Sequence, residues 1–357
     1  MIHFEALQAR YGDCFLLRWS NDKIAVIDGG PSGVYPILRK RLNALARGNK
    51  LAINLMMVSH IDDDHINGLL ALMRDLRDQK TSRQPLSYDV KRFWFNSFED
   101  LIGAKGKRSS DASLSALASD AAAMNDWANH LKEAHAVLAS VGQGRQLRDL
   151  IALFGLDGNQ PIDDFAQGSN KSVEIDGLTI SVVGPIDDQL EALRKEWKKA
   201  PISKKAQLAA YLDTSTTNLS SIVCLVEFEQ RRILLTGDAR GDYILDGLRR
   251  YGHLSEGKLA LDLLKVPHHG SDRDSAPDFF KALPAKHYVI SADGTYDNPD
   301  KDTLKWLIEA RGSETYTVHL TNRLPWMDTF FRQMSAGRNF SVNYRGDRDE
   351  DFIDIEL

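Results

Sequence analysis

The chain lacks several features that would place it in a specialised class. Its 357 residues include only two cysteines, Cys14 and Cys224, which excludes a disulfide framework and favours a reducing compartment. No stretch reaches the roughly 18 consecutive apolar residues of a membrane span, and the start lacks the charged and apolar regions of a signal peptide. A net charge of −5 also excludes a generally basic nucleic-acid coat. We therefore expect a soluble, cytoplasmic protein without a membrane partner.

Short apolar runs of strand length recur along the chain and alternate in places with helical patterns. They lie at residues 14–19, 24–27, 55–58, 93–95, 178–183, 222–228, 233–235, 263–266, 288–290 and 316–320. The first two runs are joined by Ser20-Asn21-Asp22, which predicts a hairpin, and the later alternation predicts a mixed α/β fold. Because no Pro-rich linker interrupts the chain, we expect one domain over residues 1–357.

Two segments have helical patterns and leave their roles open. Between about residues 98 and 170 the strand signal stops, and an apolar stripe from Leu114 to Leu138 predicts a helical insert. The insert either packs on the chain's own body, the simpler interpretation, or binds a protein partner. A second helix, predicted over residues 187–205, clusters cations around Trp197 and has either a solvated face or a face for DNA or RNA. Its cations are Arg194, Lys195, Lys198, Lys199, Lys204 and Lys205.

The segment from Ser59 to Leu69, SHIDDDHINGL, follows an apolar run and crowds titratable side chains together. A loop at the C-terminal end of a strand is where α/β sheets place their sites. Strand-like alternation would direct the side chains of His60 and Asp62 to one position. The side chains of Asp64 and His65 would be directed to a second position nearby, and that of Asp63 would point away from both. This arrangement suits two divalent metal ions, each bound by one imidazole and one carboxylate.

Further ligands are available where two other predicted strands end. Thr236-Gly237-Asp238 ends the run in RRILLTGD, so Asp238 is placed to bridge two ions. His268, His269 and Ser271 end the run in LLKVPHHGS. Each motif alone is weak because strand-end Asp and His are common, but the three together predict a binuclear centre.

In combination, these motifs resemble those of the metallo-β-lactamase-fold hydrolases. The superfamily signature HxHxDH reads His60-x-Asp62-x-Asp64-His65 here, with aspartate in place of the second histidine. That variant, together with YGDCFLL…IAVIDGGP, TGD and KVPHHGS, is similar to the hydrolase domain of ComEC-type DNA-uptake proteins and their soluble relatives. The resemblance covers roughly residues 10–70 and 175–300. It implies a four-layer αβ/βα sandwich, a two-metal centre at the sheet edges and hydrolysis, often of phosphodiesters.

The chain departs from that family pattern at two ligand positions. Where the superfamily supplies a histidine some twenty residues before the TGD aspartate, the nearest candidate is Asn218 or a neighbouring hydroxyl. Where competence-type relatives carry a YGHP-like element, this chain has Tyr296-Asp297-Asn298-Pro299, so Asn298 replaces the histidine. His268 or His269 either completes the ligand set or contacts substrate phosphate. The oxygen-rich donors favour manganese, with zinc and magnesium as alternatives.

The same loops supply candidate catalytic and supporting groups. Asp64, Lys265, His268 and His269 are candidates for setting the charge of the site, stabilising developing charge or protonating a leaving group. Asp28 in VIDGGP either orients a ligand histidine or caps a turn. We expect a metal-dependent hydrolase of phosphodiesters, possibly DNA or RNA. The alternatives are an ester, thioester or lactone hydrolase, and a non-catalytic regulatory module with a structural metal.

Overall fold

The fold is built on two large β-sheets. It is seen in a computed structural model, which describes residues 1–20, 22–102, 130–156, 158–163, 165–199, 220–346 and 350–357. The first sheet has six strands in the order β16-β1-β2-β3-β5-β7. Its strands are β1 (Ile2–Leu7), β2 (Phe15–Trp19), β3 (Lys23–Ile27), β5 (Leu55–Met57), β7 (Phe93–Trp94) and β16 (Phe352–Glu356). The short strands β4 (Leu51–Ile53) and β6 (Tyr88–Val90) pair with each other beside it. β2 and β3 form the predicted antiparallel hairpin.

The second sheet has eight strands in the order β15-β14-β13-β12-β11-β10-β9-β8. The strands β8 (Ser172–Ile175), β9 (Leu178–Gly184), β10 (Val223–Phe228) and β11 (Arg231–Leu235) are antiparallel neighbours. From β11 onward the sheet is parallel, through β12 (Leu261–Lys265), β13 (Ala285–Ile290), β14 (Thr315–Leu320) and β15 (Asn339–Tyr344). The parallel strands β11 and β12 therefore end at the same edge of the sheet.

The two sheets pack face to face with helices on both outer faces. Phe4 and Phe15 of the first sheet share a buried apolar cluster with Ile180 and Cys224 of the second. On the outside of the first sheet lie α1 (Tyr35–Ala46), α2 (Asp63–Thr81), α3 (Phe98–Ile102) and α4 (His130–Leu153). The second sheet is covered by α6 (Gly241–Arg250), α7 (Pro277–Ala282), α8 (Lys301–Arg311) and α9 (Met327–Met334), and α5 (Asp187–Lys199) follows β9. The predicted four-layer αβ/βα sandwich is confirmed.

The helical insert is seen only in part, because residues 103–129 lie outside the described residues together with most of the predicted stripe. The part that is described packs on the chain's own body: Leu147, Leu150 and Ile151 of α4 are buried in the cluster that α2 lines. The helical character ends at Leu153, short of the predicted boundary at residue 170. Beyond Leu153, the Asn159 side chain exchanges hydrogen bonds with the backbone of Phe95. These bonds attach the segment around Asn159 to the residue that follows β7.

The structure describes the side chains of only two cations of the predicted basic helix, Arg194 and Lys195. Arg194 is only 8% exposed, and its guanidinium donates to the Leu101 carbonyl oxygen at 2.9 Å, so it does not belong to an exposed basic face. Lys195 is exposed and lies 4.0 Å from Glu191. The side chains of Trp197, Lys198 and Lys199, and the residues Lys204 and Lys205, lie outside the described part. Within that part, no helix has the length and apolar character needed to cross a membrane.

Candidate metal centre

The predicted site residues meet at one edge of the sandwich, where strands of both sheets end. Asp28 and His60 lie just beyond β3 and β5 of the first sheet. Asp238 lies beyond β11 of the second sheet, and His268 and His269 follow β12. Side chains that are far apart in the chain therefore converge because parallel strands deliver their C-terminal loops to the same place.

Close backbone contacts hold these loops together. A Cβ on Gly68 would lie 1.9 Å from the Gly29 carbonyl oxygen, so glycine at this position lets the Asp28 loop touch the first turn of α2. A Cβ on Gly12 would lie 2.0 Å from the Asp64 carbonyl oxygen, and the next amide, that of Asp13, donates to the same oxygen at 3.1 Å. The loop before β2 is thereby fixed against the metal-binding motif.

Asp238 lies at the centre of the cluster and is only 3% exposed. Its Oδ1 is 3.3 Å from His65 Nε2. Its Oδ2 lies 3.3 Å from His269 Nε2, 3.7 Å from His268 Nε2 and 3.9 Å from His60 Nε2. One carboxylate thus faces four imidazoles, which is the placement expected of a shared ligand.

Two further carboxylates of the motif complete the ring of oxygens around these imidazoles. Asp62 Oδ2 lies 3.3 Å from His60 Nε2, although Asp62 also stands at the N-cap of α2, and its side chain does not cap the helix. Asp64 Oδ2 lies 3.2 Å from His269 Nε2 and 3.8 Å from His65 Nε2. Asp63, between them, points away from the cluster and accepts a hydrogen bond from Asn67 at 2.6 Å. Asp62 therefore lies beside His60, and Asp64 lies beside His269 and His65, while the assignment of these side chains to two ions stays a prediction.

The donor set fits a divalent metal ion. The Nε2 atoms of His60, His65 and His269 are buried and make no hydrogen bond to any of the described residues. Ligands about 2.1 Å from a tetrahedral ion are about 3.4 Å apart, and the imidazole–carboxylate separations around Asp238 are similar. One group of potential ligand atoms comes from Asp13, His65, Asp238 and His269, and a second from His60, Asp64 and His65. A cation would satisfy the buried nitrogens and the crowded carboxylates together.

The other nitrogen of each histidine is already occupied, which leaves Nε2 for a ligand. His65 Nδ1 lies 2.9 Å from Asp28 Oδ2, and Asp28 also accepts from the amide and hydroxyl of Ser59. His60 Nδ1 is 3.0 Å from the Ser59 hydroxyl, and His269 Nδ1 donates to the Ser291 carbonyl oxygen at 2.9 Å. Asp28 therefore orients a histidine, one of the two roles that the sequence left open, and such partners fix the tautomer of a metal-binding imidazole.

Lys265 lies beneath the cluster, paired with an aspartate that the sequence reasoning did not select. Its ammonium is 2.5 Å from Asp13 Oδ2 and donates to the Gly237 carbonyl oxygen at 2.8 Å, and both side chains are almost fully buried. Asp13 Oδ1 also lies 3.3 Å from His269 Nδ1. The only signal for Asp13 was its place in the YGDC element. The burial of Lys265 indicates that it offsets charge from below the site.

His268 is the cluster histidine that reaches the surface. Its side chain is 32% exposed, and its Nδ1 makes a short contact with Asp274 Oδ2. His268 and His269 both have left-handed backbone angles, with φ of 44° and 54°, which turns their side chains in different directions. Asp274, the second residue that the sequence reasoning missed, follows three residues after the KVPHHGS motif.

Burial and charge act against each other on the titratable groups. Burial and the neighbouring His65 lower the pKa of His60 to about 4, so this imidazole is neutral. Burial also lowers the pKa of His65 and of His269, but the carboxylates around them, with Asp238 foremost, outweigh it and shift both well upward. Burial raises the pKa of Asp238, yet His269 and His65 outweigh it, and the net shift is downward. The lowered pKa of Asp238 favours its ionised form and therefore positive charge beside it.

The two asparagines proposed as replacement ligands are not part of the described cluster. Asn298 is 9% exposed, and its side chain makes no hydrogen bond to the described residues of the cluster. Asn218 lies outside the described residues. Their roles stay predictions.

One family model matches the part of the chain that carries the first motif of the site. Residues 7–150 match the family model of the Metallo-beta-lactamase superfamily. No curated protein matches the chain. Among solved structures, the chain is similar to the metallo-beta-lactamase fold protein YhfI from Bacillus subtilis, at 11% identity and a TM-score of 0.43, over 100% of this chain and 99% of that one. The predicted closeness to ComEC-type proteins is not confirmed. The match to the superfamily model thus covers the part of the chain that carries the HxDxDH motif, His60 to His65.

Proposed function

We propose that the protein is a metal-dependent hydrolase that cleaves phosphodiesters with the help of two divalent ions. The observation that carries this proposal is the set of three buried Nε2 atoms, of His60, His65 and His269, that make no hydrogen bond to the described residues and face carboxylates. Such a set is costly to bury in a folded chain unless a cation binds it.

The proposed ligands fall into two groups that share one carboxylate. His60 with Asp62 would hold one ion, and Asp64, His65 and His269 the other, with Asp238 common to both. When bound, divalent ions at such a site lower the pKa of water, polarise the phosphoryl group and neutralise charge that develops on it. Because the donors are rich in carboxylate oxygen, manganese is the preferred ion, ahead of zinc and magnesium.

The chain's own groups would keep this site in its reactive arrangement. Asp28 holds His65 through Nδ1, and the Lys265 ammonium offsets the charge of Asp13 and Asp238 from below. The Nδ1 atom of His268, the exposed imidazole, contacts Asp274, which would leave its Nε2 to meet a substrate oxygen. In the proposed reaction, His268 Nε2 donates the proton that the leaving oxygen requires.

A phosphodiester is the preferred substrate for two reasons. The motif combination resembles that of the ComEC-type hydrolase domain, and the loop between His269 and Asp274 carries an exposed cation, Arg273, of the kind that binds phosphate groups. Hydrolysis of carboxylic esters, thioesters or lactones would use the same ions, but no described residue selects such substrates.

The test compares phosphodiester and ester hydrolysis by the same metal-loaded protein. The protein is stripped with a chelator, reloaded with Mn²⁺, Zn²⁺ or Mg²⁺, and assayed on bis-p-nitrophenyl phosphate and p-nitrophenyl acetate. We expect phosphodiester hydrolysis that disappears on chelation, returns best with Mn²⁺ and exceeds the rate with the acetate. A protein that binds metal but hydrolyses neither substrate would contradict the proposal and favour a regulatory module with a structural metal.

Substitutions of one aspartate in the cluster and of one beside it give a matched comparison. Asp238→Ala removes the shared ligand and should reduce turnover by at least about a thousandfold while the circular dichroism spectrum is kept. Asp63→Ala removes an aspartate at the start of α2 whose side chain accepts a hydrogen bond from Asn67, and it should change turnover less than about threefold. Equal losses in both variants would mean that these aspartates support the fold and not the chemistry.

A further inference from the structure

An exposed aromatic side chain stands beside the candidate metal centre and has no role in the mechanism above. Tyr296 is 77% exposed, whereas the other large apolar or aromatic side chains exposed in the described residues, Met1 and Leu153, lie on other elements. The ring of Tyr296 meets the half-buried ring of Tyr11 at a centroid distance of 5.6 Å and an interplanar angle of 90°. This edge-to-face contact holds the exposed ring in place and leaves most of its surface open.

Tyr11 connects this aromatic pair to the metal-binding motif. It precedes Gly12, whose Cα approaches the Asp64 carbonyl so closely that a Cβ would not fit. Burial raises the pKa of Tyr11 to about 12, and the nearby charges of Asp63 and Asp64 act in the same direction. The aromatic pair is therefore adjacent to Asp64, one of the candidate ligands.

The loop that carries Tyr296 is also anchored to the histidine turn. The Asp300 amide donates to the Gly270 carbonyl oxygen at 3.0 Å, and Asp300 Oδ2 accepts from the Asp272 amide at 2.9 Å. On its other side, the Ser291 hydroxyl donates to the Gly12 carbonyl oxygen, and the Ser291 carbonyl accepts from His269. The position of Tyr296 is thus set by the same segments that position His269 and Asp13.

The backbone at Tyr296 is in a costly conformation for an exposed residue. Its φ and ψ are 59° and 24°, in the left-handed region that a tyrosine rarely adopts, and Asp297 follows with a φ of 64°. Glycine or asparagine would fit this turn with less strain, so burial or turn formation does not explain the tyrosine. Strain of this kind at the rim of a site is a feature of residues that contact ligands.

We propose that Tyr296, supported by Tyr11, forms a stacking platform for a nucleobase of the substrate, next to the phosphodiester held at the metal centre. This inference rests on the proposed phosphodiesterase function and narrows the substrate to a nucleotide-containing phosphodiester. Every base has a π-face, so a single tyrosine platform binds bases with little sequence preference. The open ring and its edge-on support fit that mode of recognition.

The first test measures catalysis on matched dinucleotides by the Mn²⁺-loaded protein. The substrates are thymidylyl-thymidine and its two analogues in which one base or the other is replaced by an abasic tetrahydrofuran spacer. We expect the wild-type kcat/KM to be at least about tenfold lower for one of the abasic analogues. Tyr296→Ala should remove this difference, because it should lower kcat/KM for the full dinucleotide and not for that abasic analogue. Tyr296→Phe should keep the difference. Leu153→Ala, another exposed apolar residue, is the control and should also keep it.

The second test detects stacking without requiring turnover. A dinucleotide that contains 2-aminopurine is titrated with the metal-loaded protein, because the fluorescence of this base is quenched when it stacks. We expect quenching with the wild type and with Tyr296→Phe, and its loss together with an approximately tenfold weaker Kd in Tyr296→Ala.

The outcomes separate the platform from the function on which it rests. Hydrolysis of bis-p-nitrophenyl phosphate without discrimination between full and abasic dinucleotides, or discrimination that survives in Tyr296→Ala, overturns the platform and leaves the phosphodiesterase standing. No hydrolysis of any substrate overturns the proposed function. In that case, quenching that depends on Tyr296 still supports base stacking on this residue. The absence of quenching overturns the stacking platform as well as the proposed function.

Discussion

Replacing the buried lysine of the site should destabilise the protein far more than replacing an exposed one. Lys265 is 1% exposed and lies 2.5 Å from Asp13, which is itself fully buried. Lys265→Met preserves the volume of the side chain but leaves the Asp13 carboxylate without its ammonium. Breaking a buried pair in this way costs about 3 to 5 kcal/mol, because an uncompensated charge stays buried. The matched control is Lys286→Met, whose ammonium is 64% exposed and 2.8 Å from Asp262, and it should cost less than about 1 kcal/mol.

The assay is urea unfolding in the presence of a chelator, with the free energy of unfolding compared among the wild type, the two lysine variants and the double variant Asp13→Asn/Lys265→Met. Because the double variant removes both charges, it should recover a large part of the loss. Added Mn²⁺ should also stabilise Lys265→Met more than the wild type, since a cation replaces the missing ammonium near Asp13. A loss in Lys265→Met no greater than that in Lys286→Met would refute this reasoning about the buried charge.

Three further predictions follow from contacts around the site and in the second sheet. Asp28→Asn removes the carboxylate that holds His65 Nδ1, so Mn²⁺ affinity measured by competition with a chelating dye should fall about 10- to 100-fold, and unchanged affinity would count against that role. Gly68→Ala places a Cβ 1.9 Å from the Gly29 oxygen and should cost about 1 to 3 kcal/mol of unfolding free energy, whereas Gly142→Ala, with no atom within 4 Å, should be neutral or stabilising. Burial and the nearby His287 lower the pKa of His319 to about 3, so the stability that its neutral form provides is complete above about pH 6.5 and is lost as the pH falls toward 3. His319→Gln should flatten this part of the pH profile of unfolding, and an unchanged profile would contradict the assignment.

Much of the fold follows from local patterns in the sequence. Each of the ten apolar runs is a strand, because continuous apolar residues suit strands that are covered on both faces. The strands that no apolar run predicted are mostly half-buried or lie at the edges of the sheets. β16, FIDIE, alternates apolar and polar residues, and β1 places Glu5 in its middle. Glu5 is fully buried because Arg18 and Arg41 both pair with it, a contact that no local pattern indicates.

The candidate site was predictable where ligand chemistry is concentrated in short motifs, and less so elsewhere. Asp238 stands out because it follows a strand and a glycine, and the structure places it among the imidazoles. Asp13 does not stand out, because a lone aspartate before a strand is ordinary until the packing of the two sheets brings Lys265 over it. Arg194 shows the opposite error, because a cation in a basic run predicts an exposed side chain, whereas this guanidinium is buried against α3. In both cases long-range packing, and not composition, decides the role.

Anomalous diffraction from crystals of the protein grown with Mn²⁺ would show directly whether the cluster binds metal. We expect two manganese peaks in the cluster, with His60 and Asp62 bound to one ion, His65 and His269 bound to the other, and Asp238 contacting both. The absence of any peak at these residues at saturating Mn²⁺, in a protein that is folded as described here, would contradict the central claim that this is a metal centre.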